Sequence, residues 1–163
     1  WDKYHSPENM VISFSKEVSE LSEYFQYTTK DASPDMFNLE PIADELVDVL
    51  WWSLLFLHKH SIETNLFFDQ LNLTDFSKEL KSFSPKKSLL LIFSFVGCIS
   101  MGILGFSKEN NQWFSKKDKD FFAENLFNVI RQIVLFFKFF NLDVQMEFLR
   151  KLNKNNKKYP ISE

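Results

Sequence analysis

Residues 43–50 read ADELVDVL, and residues 123–130 read AENLFNVI. Both octets keep the frame Ala-x-x-Leu-x-x-Val, with apolar residues three and four apart, the period of a helix with one buried side. The likeness extends outward from them. Upstream, Ser6-Pro7 and Ser84-Pro85 each read as a helix start, a capping serine followed by proline at the first helical position. The serines lie 78 positions apart and the octets 80, so two extra residues fall in the loop between helices, where insertions cost little. Downstream, SIETNLFF (61–68) lies over NLDVQMEF (141–148), with Phe68 over Phe148. The chain therefore reads as two copies of a three-helix unit, residues 1–76 and 77–163, forming one compact all-α bundle.

Nothing in the composition opposes this. Glycine is scarce, with all 3 residues inside 97–105, and no alternating strand pattern is bounded by turn residues. The first helix is expected from Ser6-Pro7 to about Tyr27, the second from about Pro41 to His60, and the third from about Ser61 to Leu73. TTKDASPD is expected as a loop. The 163 residues suffice for a sizeable core. Phenylalanine is over-represented at 20 residues, which the base composition of an AT-rich genome produces without any functional demand.

A net charge of −3 exerts no general pull on nucleic acid. The lone Cys98 excludes a disulfide framework and fits a reducing compartment. The polar start WDKYHSPENM has no secretory pattern, so a cytoplasmic location is expected. The uncharged run LLLIFSFVGCISMGILGF (89–106) is long enough to suggest a membrane helix. A helix apolar on all sides also suits the centre of a bundle, and without aromatic belts or a second clean span that is the expectation. Cys98 is expected as inert core, and the tryptophans Trp51 and Trp52 in the core or an interface. His58 and His60, at the end of the second helix, are expected to contact its negative dipole end.

The chemistry concentrates in the first copy. Glu17, Glu20 and Glu23 follow one another at i,i+3 steps and share one side of a helix; Glu45 and Asp48 repeat the step on the next. Carboxylates so grouped, flanked by Leu21, Phe25, Leu46 and Val49, repel one another and resist burial unless a cation joins them. A solvated helix face has the same spacing. In the second copy the corresponding positions are Phe95, Cys98, Asn125 and Asn128, so every acidic candidate is neutral there.

These segments together resemble the MazG-like all-α nucleoside triphosphate pyrophosphatases, closest to their dCTP pyrophosphatase branch. The resemblance lies in Trp1 followed by His5-x-Pro7-x-Asn9, in Glu17-x-x-Glu20-Leu21, in Phe25-Gln26-Tyr27, and in Glu45-Leu46-x-Asp48-Val49-Leu50. At the other end it lies in Lys151, Asn155, Tyr159 and Pro160 of KLNKNNKKYP. Two positions depart: Tyr27 stands where the branch has tryptophan, and Glu8 where a basic residue is usual. The family places carboxylates and tail in one short unit that dimerises. Here the first copy has the carboxylates and the second has the tail; Leu71, Asp75 and Glu79 occupy the tail positions of the first copy. The resemblance thus implies a fused pseudo-dimer with one composite site.

It implies further that Glu17, Glu20, Glu45 and Asp48 hold Mg²⁺, with Mn²⁺ as a substitute, and that Glu20 is the catalytic partner of the attacking water. Lys151, Asn155 and Tyr159 would bind phosphate. Trp1, His5, Asn9 and Tyr27 would contact the base or sugar; for His5, a packing contact at the start of the helix is the competing reading. The implied substrate is a nucleoside triphosphate, dCTP-like, cleaved to the monophosphate and pyrophosphate. No nucleic acid or membrane partner is expected, and fused chains are expected to pair as a homodimer. Two other classes stay open, a non-catalytic nucleotide sensor and a helical interaction protein.

Overall fold

The computed structural model describes residues 5–28, 33–64, 69–71, 74–105 and 114–158, and these are all-α, with no strand among them. Helix α1 spans Pro7–Glu23; the Ser6 side chain accepts from the Asn9 N–H at its start and Pro7 opens the first turn. Its inward stripe is Met10, Val11, Phe14, Val18 and Leu21. The helix stops four residues before the expected Tyr27. The Phe25 and Gln26 N–H groups both turn back to the Ser22 carbonyl, and this turn drives Phe25 into the core between Phe37 and Phe136.

After a 3₁₀ turn at Pro34–Met36, α2 runs Leu39–Lys59, starting two residues before Pro41, a position in the first turn where proline loses no helical hydrogen bond. A short α3, Ser77–Lys81, begins where Asp75 accepts from the Ser77 N–H and hydroxyl. Helix α4 spans Pro85–Gly105, and α5 spans Lys116–Phe139 behind a capping box of Ser115 and Asp118. Helix α6, Val144–Lys158, starts where Asp143 accepts from the Met146 N–H.

Four helices close a ring: α1 packs on α2, α2 on α5, α5 on α4, and α4 on α1. The phenylalanines fill its two ends, one around Phe25, Phe37, Phe136 and Phe140, the other around Phe56, Phe114 and Phe122. Helix α6 lies outside the ring against α2, and α3 lies against α5.

Both α2 and α5 end in the same way. Ser61 and Asn141 take left-handed φ values of 50° and 53°. Beyond them the Ile62 N–H bonds to the Leu57 carbonyl, and the Leu142 N–H to the Phe137 carbonyl. Each is a Schellman ending with a non-glycine residue at the left-handed position, and the two lie at the 80-residue spacing of the octets. The third helices do not correspond. Ile62–Thr64 are not helical, residues 69–71 form a helical turn, and the rest of 65–73 lies outside the described residues, as does Phe68. A left-handed residue at 61 ends a helix and cannot begin one.

Two burial expectations are corrected. Only a third of the apolar window of α4 is buried, because α1 and α5 cover one side of it. Cys98, expected in the core, is exposed on the other side. Trp51 is 46 % exposed, lying over Phe148 of α6, while Trp52 packs against the core.

His60 also departs from expectation. Its ring packs on Phe56 and Phe114, and burial, with Lys119 and Lys59 adding to it, pushes its pKa down to about 4. It is therefore neutral at pH 7 and contributes no cation to the helix end. Because the folded pKa lies below the unfolded 6.5, the stability this ring confers is complete above pH 6.5 and is lost as pH falls toward 4. The loss should be about 2 kcal/mol, discounted for the part of the ring open to solvent. Urea denaturation of wild type and His60→Phe at pH 7.5 and pH 4.5 measures it: the variant should lose less stability on acidification, and equal losses would refute the assignment.

Candidate metal and phosphate site

The i,i+3 steps of α1 and α2 work because the two helices lie side by side. The core stripe of α1 holds Val18 and Leu21 inward, leaving Glu17 at the edge of the contact with α2. Leu46 and Val49 do the same for Glu45 and Asp48. One carboxylate oxygen from each of Glu17, Glu45 and Asp48 lies within 4.8 Å of the others.

The cluster is costly in the absence of a cation. Burial, then the Asp48 charge, pushes the Glu17 carboxyl up to about 7. Burial and Asp48 likewise raise Glu45, whose Oε2 is buried with no hydrogen-bond partner. Burial raises Asp48 too, and Lys151 opposes the shift. Three acids that face one another, one with an unpartnered buried oxygen, form a donor set of the oxygen type that Mg²⁺ takes. The residues present fit that ion.

Glu20 stands beside Glu17 but outside the triad. Lys16 bonds it at 2.7 Å and holds its carboxyl below the usual range, while reaching Glu17 at 3.6 Å. Glu23 is exposed.

Helix α6 brings in the far end of the chain. Lys151 is nearly buried, and its Nζ lies 2.6 Å from Asp48 Oδ2. The expected phosphate-binding lysine is thus brought to the carboxylates from 103 positions away, although no side chain of α6 itself is fully buried. Arg150 and Lys154 hold the helix there. Both bond Asp44, at 2.6 and 2.5 Å, and Arg150 also reaches Glu40 and Glu147. Asp44 is buried and kept ionised by these partners against the cost of burial. The sequence reading missed this latch. Its signal is the pairing of Glu40/Asp44 with Arg150/Lys154, both at i,i+4 and opposite in sign. Asn155 is half-buried on the same helix.

The expected base contacts are not gathered in one place. The His5 ring stands edge-on to Trp52 at 6.0 Å, and its Nδ1 is buried without a partner. Trp52 follows Asp48 by one helical turn, so His5 lies along the carboxylate face of α2. Asn9 is exposed, its backbone N–H bonded to Ser6. Tyr27 is 90 % exposed beyond the opposite end of α1, a helix about 25 Å long. Trp1 and Tyr159 lie outside the described residues.

Eighty positions after Glu45 and Asp48 stand Asn125 and Asn128, which are not acids. The Asn125 and Asn128 amides each donate to a carbonyl one turn back, at Phe121 and Glu124, and Phe95 packs against the core. No family model, curated protein or solved structure matches this chain.

Proposed function

We propose that this chain is a Mg²⁺-dependent nucleoside triphosphate pyrophosphohydrolase acting on a dCTP-like nucleotide in the cytoplasm. The observation that carries the reading is the convergence of Glu17, Glu45 and Asp48, with a buried unpartnered oxygen on Glu45, beside Lys151. Half-buried like charges with a lysine at their edge suit a site built for a polyanion and its cation. Glu17, Glu45 and Asp48 would hold Mg²⁺, or Mn²⁺ in its place, which would offset their charge and supply Lewis-acid activation for phosphate chemistry.

The chain's own groups do the rest. Glu20, at the rim, accepts the proton of a water attacking the α-phosphorus. The bond from that phosphorus to the α–β bridging oxygen breaks, and pyrophosphate leaves. Lys151 neutralises phosphate charge, with Asn155 and Tyr159 donating hydrogen bonds. His5 contacts base or sugar. The same reading takes the chain as a fused pseudo-dimer of two MazG-like units. The matched serine–proline starts and the paired left-handed endings at Ser61 and Asn141 support it.

The test is pyrophosphate release over a panel of nucleoside triphosphates with Mg²⁺, alongside thermal shift. Release that requires Mg²⁺ and is strongest for one nucleotide is the expected result. Thermal stabilisation without release would make the chain a sensor, and neither response would make it a helical interaction protein.

A further inference from the structure

We propose that the outer face of α4 is a homodimer interface, on which a second copy of this chain packs its own α4 antiparallel across a two-fold axis at Gly97. The inner face of α4, Leu89, Ile92, Val96, Ile99 and Gly102, is buried against the bundle. The outer face carries Leu90, Phe93, Met101 and Leu104, exposed by 70, 38, 69 and 81 %. No charged residue occurs from Ser88 to Gly105.

The order of these residues selects the occupant. Leu90, Phe93, Gly97, Met101 and Leu104 are separated by 3, 4, 4 and 3 positions, a spacing symmetric about Gly97. Read in reverse the series is Leu, Met, Gly, Phe, Leu, the same kind of side chain at each place. A closed two-fold contact sets one patch against itself, so a residue before the axis meets one after it. Leu90 then lies beside the partner's Leu104, and Phe93 beside the partner's Met101. A heterologous partner has no need of such symmetry.

Gly97 supplies a second, separate argument. A Cβ added there would meet nothing within 4 Å, so no contact inside the chain requires glycine. In mid-helix it is nevertheless destabilising by roughly 0.5–1 kcal/mol relative to alanine. At a crossing point it lets two helices approach closely.

The area reaches the lower bound for a specific pair. With Leu91, these side chains expose on the order of 500 Å² per copy, toward the upper end of what a monomer shows in one apolar patch, and pairing two copies would bury about 1,000 Å², the size of a small interface. A bilayer fits the face less well. The other side of α4 is packed into the bundle, where the Ser88 hydroxyl bonds the Gln132 side chain of α5 in the core. Immersion of the whole helix would break that packing.

Light scattering on the eluting chain at tens of micromolar tests the proposal. Wild type should show twice the 19.4 kDa of the chain. Leu104→Glu should weaken the dimer at least tenfold while leaving the circular dichroism unchanged. Met101→Gln is the second variant, should Leu104→Glu not fold. Leu90→Glu combined with Leu104→Lys should restore the dimer, because the opposite charges meet only across the two-fold axis; within one chain they stand about four turns apart. A monomeric wild type, a dimer indifferent to Leu104→Glu and Met101→Gln, or a double variant as weak as the single one would each overturn the proposal. So would a monomer that floats with phosphatidylcholine vesicles.

Discussion

Glu17→Gln is expected to abolish pyrophosphate release and, in the same protein, to raise the stability of the metal-free fold at pH 8. The two effects have one origin. Glu17 faces Glu45 and Asp48, and its carboxyl is pushed up to about 7 from 4.5. A folded pKa above the unfolded one means that the native state binds the extra proton between those values. The associated stability is complete below pH 4.5 and is lost as pH rises through 7. At pH 8 the wild-type protein therefore holds a crowded charge that glutamine does not carry. The gain from the substitution should be about 1–2 kcal/mol, discounted for screening at the solvent-facing edge.

Mg²⁺ should reverse the ranking, since a ligand that binds only the folded state stabilises it by mass action, and the variant has lost a carboxylate. Asp48→Asn should also end turnover, without the same gain, because it leaves Lys151 without its partner. Urea denaturation at pH 8, with chelator and then with Mg²⁺, would measure this alongside turnover. A Glu17→Gln protein that still releases pyrophosphate, or that is less stable than wild type in chelator, would remove the carboxylates as the site.

Lys151→Met should separate metal binding from catalysis by moving them in opposite directions. In the absence of metal the Lys151 ammonium is seated on Asp48, where it competes with a cation for the same carboxylate. Methionine keeps the packing of the side chain and removes the competitor, so Mn²⁺ should bind several-fold more tightly. Turnover should fall by about 10- to 100-fold, the equivalent of one charge-assisted hydrogen bond to phosphate, about 1–3 kcal/mol. Mn²⁺ titration followed by electron paramagnetic resonance reports the first effect and single-turnover kinetics the second. If both quantities fall together, Lys151 holds α6 in place and does nothing to phosphate. If neither moves, its contact with Asp48 is incidental.

The sequence by itself determined the helices of the ring and, for α1, α2 and α5, which side turns inward. Ser6-Pro7 and Ser115 with Asp118 are local capping devices, and stripes such as Phe14, Val18 and Leu21 follow from a period of 3.6 residues. It also determined that Glu17, Glu45 and Asp48 stand at helix-contact edges, because each is one residue from a core position. Tertiary structure decided the rest. Periodicity marks an apolar face without saying what covers it, so α4 could not be placed from its sequence, nor Cys98 on its open side. The turn at Phe25 and the left-handed Ser61 depend on where the ring closes, which is why the first helix ends early and residues 62–64 are not helical. His5 and Tyr27 flank α1 and so stand a helix length apart by sequence alone, yet only the packing of α1 on α2 puts His5 against Trp52, along the carboxylate face. Lys151 reaches Asp48 because Arg150 and Lys154 meet a buried Asp44 more than a hundred residues away. Such a pairing is set by the balance of desolvation against charge contact between two folded helices, and no local rule of sequence contains it.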